Sequence, residues 1–160
     1  MELPRSRNDA ARWTEARREE LLREGSGIAV ETVLSTDTKV EFIERAKLAG
    51  YFVRVFFIGT SDPRINAARV AGRVMAGGHT VPIEKIVGRY VRSLANLTPM
   101  ISLADRVYIF DNSVDGEDAR LCARTEGGRL RKVYGALPQW VAACVAAIER
   151  HADFVDLCTG

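Results

Sequence analysis

Residues 38–58 read TKVEFIERAKLAGYFVRVFFI, and the way this stretch divides decides the fold. Thr38-Lys39-Val40-Glu41 has the spacing of a capping box, and Phe42, Ile43, Ala46 and Leu48 supply the apolar set of a helix behind it. Gly50 stands where helices commonly end in a left-handed residue. From Tyr51 to Ile58 the chain is almost wholly aromatic and β-branched, which predicts a strand. Just upstream, the run Gly27 to Leu34 (GIAVETVL) reads as a second, buried strand. The expected unit is strand–helix–strand, part of a parallel sheet covered on both faces.

Outward from this unit the pattern continues. Asn8 to Arg23 predicts an exposed amphipathic helix, ended by Glu24-Gly25-Ser26-Gly27. Ser61-Asp62-Pro63 opens another helix, with proline in the first turn where its missing N–H costs nothing. That helix runs to Gly77-Gly78. A further helix opens at Val81-Pro82-Ile83 and continues towards Leu97, with Ile83, Ile86, Val87, Tyr90, Val91 and Leu94 as its apolar stripe. Arg106 to Phe110 predicts a strand ending in Asp111-Asn112-Ser113. Ala119–Arg124 and Leu130–Tyr134 predict a hairpin turning at Glu126-Gly127-Gly128. A last helix from Pro138 to about His151 would bury Trp140, Val141, Cys144, Val145 and Ile148. The expectation is one α/β domain over residues 1–160.

Composition excludes several classes. With 47% hydrophobic and 28% charged residues over 160 positions, the chain has the balance of a soluble globular domain. No apolar run approaches the roughly 20 residues that span a bilayer, and MELPRSRNDAARW contains no apolar signal core. A cytoplasmic protein without a membrane partner is expected. Cys122, Cys144 and Cys158 form no CxxC pair, and His79 and His151 lie far apart, so no metal site is expected. A cysteine–histidine nucleophile remains open only as a meeting in three dimensions. A net charge of +2 does not point to a nucleic-acid polymer. Arginine makes up 19 of the 23 basic residues, which suits bidentate phosphate contacts but also follows from GC-rich codons. Placement is more informative, because Asp62 to Arg92 alone carries a net +4.

Within that region lies Arg69 to His79, RVAGRVMAGGH. Arg69 and Arg73, four apart, share one helix face, where like charges repel unless an anion lies between them. Arg89 and Arg92 repeat the arrangement at a spacing of three on the next helix. Two readings fit. The pair is a clamp for phosphate oxygens, or it is a solvated helical hairpin whose arginines pair with nearby carboxylates.

Taken in order, Glu31-Thr32-Val33-Leu34-Ser35, Ala49-Gly50-Tyr51-Phe52-Val53, RVAGRVMAGGHTVPIEKIVGRYVRSLANL (69–97) and Val107 to Ser113 resemble the zeta toxin family. These are P-loop kinases that phosphorylate UDP-N-acetylglucosamine and related sugar nucleotides. The likeness spans about residues 9–115. It implies a three-layer, parallel-sheet kinase-like domain with a helical lid over about 62–97, then a C-terminal hairpin and helix. Arg69 and Arg73 match catalytic lid arginines, which in phosphoryl transfer offset charge developing on the equatorial oxygens. His79 and Arg89 match further lid positions. Glu31, Thr32 and Ser35 would face the sugar nucleotide, and Asp111, Asn112 and Ser113 would border the nucleotide base. Each has a plainer reading: Glu31 as a satisfied strand-end carboxylate, His79 as a turn cap, and Asp111-Asn112-Ser113 as an ordinary turn. The resemblance also implies ATP and Mg2+ as cofactors and a small helical antitoxin as partner.

One part of the family pattern is missing. No GxxxxGK[ST] occurs anywhere in the chain; its first glycine is Gly25 and its first lysine Lys39. That loop cradles phosphates with backbone amides and holds magnesium through its hydroxyl. The expectation is a family domain truncated at its N-terminus and inactive alone. A misplaced start, a decayed gene and a partner polypeptide supplying the loop all fit. So do two other functions: a non-catalytic module that binds nucleotide or antitoxin, and an adenylate-kinase-like enzyme with another acceptor.

Overall fold

The computed structural model describes residues 7–159, and the side chains of His151 and Cys158 lie outside what it describes. The elements are α1 (Arg7–Arg23), α2 (Asp37–Leu48), β1 (Arg54–Gly59), α3 (Pro63–Met75), α4 (Ile83–Leu103), β2 (Arg106–Asp111), β3 (Arg120–Glu126), β4 (Arg129–Val133) and α5 (Gln139–Thr159). The four strands form one sheet in the order β1-β2-β3-β4. Only β1 and β2 run parallel; β2–β3 and β3–β4 are antiparallel. The α/β class stands, whereas the expected parallel sheet reduces to a single parallel pair. The turn between β3 and β4 accounts for their pairing: Gly127 and Gly128 have φ of 56° and 77°, the two-residue turn that reverses a strand tightly.

Gly27 to Leu34 is not a strand, which corrects the expected strand–helix–strand unit. At its end, side chains of α4 meet the carbonyls of Leu34 and Ser35 in place of a ladder. Arg92 Nε donates to Ser35 O at 3.1 Å and Asn96 Nδ2 to Leu34 O at 3.3 Å. Leu34 is buried, while Val30 and Val33 are exposed. A short apolar run is compatible with a strand and with a single buried anchor, and here the anchor wins. The capping box at Thr38 is also displaced: α2 starts at Asp37 behind Thr36, whose side chain makes no cap bond.

Three helix ends follow one rule. After α1, α2 and α3 come Gly25, Gly50 and Gly77, with φ of 68°, 82° and 88°. In each case the next N–H reaches back to a carbonyl of the last turn: Ser26 to Leu21, Tyr51 to Ala46 and Gly78 to Arg73. This paired motif satisfies carbonyls that a helix end leaves without partners, and glycine adopts its left-handed residue without strain.

The core lies on one face of the sheet. Phe57, Val107, Ile109 and Ala123 meet Leu97 and Ile101 of α4 and Val141, Val145 and Ile148 of α5. α4 buries its C-terminal half, whereas Ile83, Val87 and Val91 of the expected stripe are exposed. Trp140 closes the end of β1, its ring 6.3 Å from that of Phe57. The opposite face is open, with Phe56 and Ile58 each 60% exposed, so the sheet is covered on one side only.

Asp105 ties three elements together. Its carboxylate accepts from Lys47 Nζ at 2.6 and 2.7 Å and from Val53 N at 2.7 Å. The Lys47 hydrogen bond, above all, holds the Asp105 carboxyl below its ordinary value. A depressed carboxyl stabilises the fold above its unfolded pKa of about 3.9 and loses that contribution as pH falls through the folded value. Asp105→Asn therefore lowers Tm at neutral pH, and the gap from wild type narrows below about pH 4 in melts followed by circular dichroism. Gly59 supplies a second prediction. A Cβ there would sit 2.5 Å from Trp140 Cη2. Gly59→Ala is expected to cost about 1–3 kcal/mol in urea unfolding with the slope unchanged.

Candidate functional site

Parallel pairing sets the carboxyl ends of β1 and β2 side by side, the place where α/β sheets hold ligands. The two ends are cross-linked. Asn112 N donates to Gly59 O at 2.8 Å, and Ser61 N donates to Ser113 Oγ at 2.8 Å. Ser113 Oγ donates in turn to Asp111 Oδ1 at 2.5 Å, and Trp140 Nε1 reaches the same oxygen at 2.8 Å. The Asp111-Asn112-Ser113 segment is thus a braced strand end, held by a hydroxyl, an indole and two backbone groups.

α3 rises from this corner. Asp62 caps it by accepting from Arg64 N at 2.7 Å, and the Arg64 guanidinium holds the Asp62 carboxyl below its ordinary value. Thr60, buried at the end of β1, accepts at its hydroxyl from Asn66 Nδ2 at 3.0 Å. Its carbonyl accepts from Tyr90 Oη at 3.0 Å. Burial, with Asp62 adding to it, pushes the Tyr90 hydroxyl pKa up.

Arg69 crosses from α3 to the β2 end. Nη1 donates to Asn112 O at 2.9 Å, Nη2 donates to Val114 O at 3.2 Å, and Nε lies 3.7 Å from Asp115 Oδ1. Arg73, one turn further, has no carboxylate or hydrogen-bond partner among the described residues, and neither does Arg89. Asn66, Arg69, Arg73 and Asp115 line an open groove of about 520 Å³. The expected pairing of these arginines with carboxylates is therefore confined to one long contact with Asp115. Neutral carbonyls hold Arg69 without cancelling its charge.

The double glycine has a backbone explanation. Gly77 takes the left-handed position, and a Cβ at Gly78 would meet Arg73 O at 2.6 Å. The corner is a fixed helix terminator that presents Arg73 on the last turn of α3. His79 follows it, exposed.

Glu31 and Thr32 stand apart from this cluster. Both are exposed, and the Thr32 hydroxyl reaches only Val33 O, at 3.4 Å. Ser35 is buried, and its carbonyl is held by Arg92. Tyr90 and Arg92, two positions apart on α4, thereby link the β1 end to the 31–35 segment. No contact joins Glu31 or Thr32 to Arg69 or Arg73 among the described residues. Thr60, Asn66, Tyr90 and Asp115 are site residues that the sequence reading did not single out. Tyr90 was visible there only as part of an apolar stripe, and Asp115 carried no signal.

The donors present suit an anion with several oxygens. They do not fit a magnesium–triphosphate group: the sequence has no GxxxxGK[ST], and no cluster of three or more His, Cys, Asp or Glu able to hold a metal occurs among the described residues. Among the described residues, no helix is long and apolar enough to cross a membrane.

An uncharacterized protein of Haemophilus influenzae is 30% identical to this chain over 69 residues, which cover 43% of this chain and 49% of that protein. The chain thus spans about half the length of the curated relative it matches. No solved structure matches it. The family model described as Zeta toxin matches residues 5–125, well over half of the chain and inclusive of α3, α4 and the braced ends of β1 and β2. The chain belongs to the zeta toxin family.

Proposed function

We propose that this chain forms the lid and acceptor-facing part of a kinase-like phosphotransferase that acts on a sugar nucleotide such as UDP-N-acetylglucosamine. One observation carries the reading: Arg69 and Arg73 face a common groove at the carboxyl ends of β1 and β2, and Arg73 is left without a carboxylate. A guanidinium in that position binds phosphate oxygens bidentately and offsets charge that builds up on them in transfer. The carbonyls of Asn112 and Val114 hold the Arg69 guanidinium at the groove. Arg92 and Asn96 fix the Leu34–Ser35 carbonyls, which ties the segment that carries Glu31 and Thr32 to α4, and these two residues would meet the sugar nucleotide. ATP would supply the transferred phosphoryl group and Mg2+ would neutralise it, but the residues present do not hold either. The chain is accordingly proposed to be inactive in transfer by itself.

A non-catalytic nucleotide- or antitoxin-binding role is the second reading, favoured by the missing phosphate loop. Titration calorimetry of the whole chain with UDP-N-acetylglucosamine tests what the two share. Arg69→Ala and Arg73→Ala are each expected to weaken binding about tenfold or more, equivalent to roughly 1.4 kcal/mol. Equal affinity in wild type and both variants would remove the groove from either reading. Adding a GxxxxGK[ST]-bearing segment and assaying phosphate transfer from ATP then separates them. Under the first reading transfer appears, and Arg73→Ala lowers its rate by about 100-fold or more.

A further inference from the structure

α3 and the first half of α4 carry the arginines of the groove, yet they bury little apolar surface. α3 has no buried residue. In α4 the only buried residue before Leu97 is Ile86, while Ile83, Val87 and Val91 are exposed. Apolar packing therefore does little to set where these two segments stand.

Side-chain hydrogen bonds take its place, and they converge on one residue. Thr60 directly follows β1 and is 4% exposed. Its hydroxyl accepts from Asn66 Nδ2 of α3 at 3.0 Å, and its carbonyl accepts from Tyr90 Oη of α4 at 3.0 Å. The same hydroxyl donates to Asp62 O at 3.3 Å, at the cap of α3. With its one proton spent there, the hydroxyl can meet Asn66 only as an acceptor, which fixes the orientation of that amide. Burial raises the Tyr90 hydroxyl pKa, so that oxygen keeps a proton to donate. The backbone on either side of Thr60 is tied to the end of β2, through Gly59 O to Asn112 N and through Ser61 N to Ser113 Oγ. Asn66 lies about one turn before Arg69 and two before Arg73, and all three line the groove.

We propose that Thr60 is the common anchor of α3 and α4, and that Asn66 and Tyr90 are positioning residues that act through it to set where Arg69 and Arg73 stand. Tyr90 does not line the groove; its effect reaches the arginines because α3 packs against α4. The inference rests on the reading of the groove as a phosphate site and adds the residues that hold it in register.

Two nearly isosteric variants each remove one bond. Tyr90→Phe deletes the donor to the Thr60 carbonyl, and Thr60→Val deletes the acceptor of Asn66 while keeping the outline of the side chain. Amide hydrogen exchange on the free chain tests the anchor. Faster exchange is expected in α3 for Thr60→Val and in the first half of α4 for Tyr90→Phe, with β2 and β3 unchanged in both. Calorimetric titration of the whole chain with inorganic pyrophosphate tests the positioning role. Each variant is expected to bind at least about threefold more weakly than wild type, within the range of one hydrogen bond. In an Arg73→Ala background the Tyr90→Phe change is expected to weaken binding less, since its effect passes through the arginine pair. Asp105→Asn, at the opposite end of β2, is the control that lowers Tm without weakening pyrophosphate binding. Unchanged exchange in both helices overturns the anchor. Wild-type affinity in both variants, or equal weakening by Asp105→Asn, overturns the positioning role. A wild-type chain that binds no pyrophosphate removes the phosphate reading of the groove and the positioning role with it, and exchange alone then decides the anchor.

Discussion

Parallel pairing of β1 with β2 is the constraint from which the site follows. Two adjacent parallel strands cannot be joined by a tight turn; the chain must leave the end of one and return to the start of the other. Here the whole connection is α3 and α4. α3 therefore has to begin at the carboxyl end of β1, and β2 has to finish beside it. Arg69, two turns along α3, reaches the carbonyls past the end of β2 for that reason. The groove arises where topology brings three chain ends together.

The same corner is braced at the strand ends and loosely anchored at α3. Asp111, Ser113 and Trp140 form one hydrogen-bonded set, and Trp140 also packs against Gly59, so both strand ends are fixed to α5. In contrast, α3 has no buried residue and leans on α4. Elements with little burial sit at the low end of local stability, the part of a fold that opens and closes around ligands. A braced pair of strand ends thus lies beside a weakly anchored helix.

Much of this was legible in order along the chain. Asp62-Pro63 and Gly77-Gly78 bracket α3 because capping and helix termination are local chemistry. The Gly127-Gly128 turn is equally local. What was not legible depends on distant partners. Gly27–Leu34 has strand composition, but the carbonyls at its end, Leu34 and Ser35, are taken by Asn96 and Arg92 of α4, and the segment joins no ladder. Continuous apolar character in β1 suggested burial on both faces; the residues have that character, yet only Phe57 and its alternates meet a helix layer. Within the site, the arginine spacing was readable, whereas Thr60, Asn66 and Asp115 are ordinary polar residues until the β1 and β2 ends meet.

Arg69 and Arg73 share a helix face but do different physical work. Arg69 is half-buried and bound to two carbonyls, so its position is set by neutral acceptors, and the exposed Asp115 carboxylate at 3.7 Å offsets its charge only in part. Arg73 is exposed at the last turn of α3, its own carbonyl locked by Gly78 N at 2.7 Å. Its side chain has no hydrogen-bond or carboxylate partner among the described residues. An anion entering there meets one cation already in place and one able to move onto it. Repulsion between the two, a few tenths of a kcal/mol at this spacing, is relieved only when negative charge lies between them. The groove therefore holds two cations against one exposed carboxylate, which distinguishes it from the Lys47–Asp105 pair, where the charges already satisfy each other.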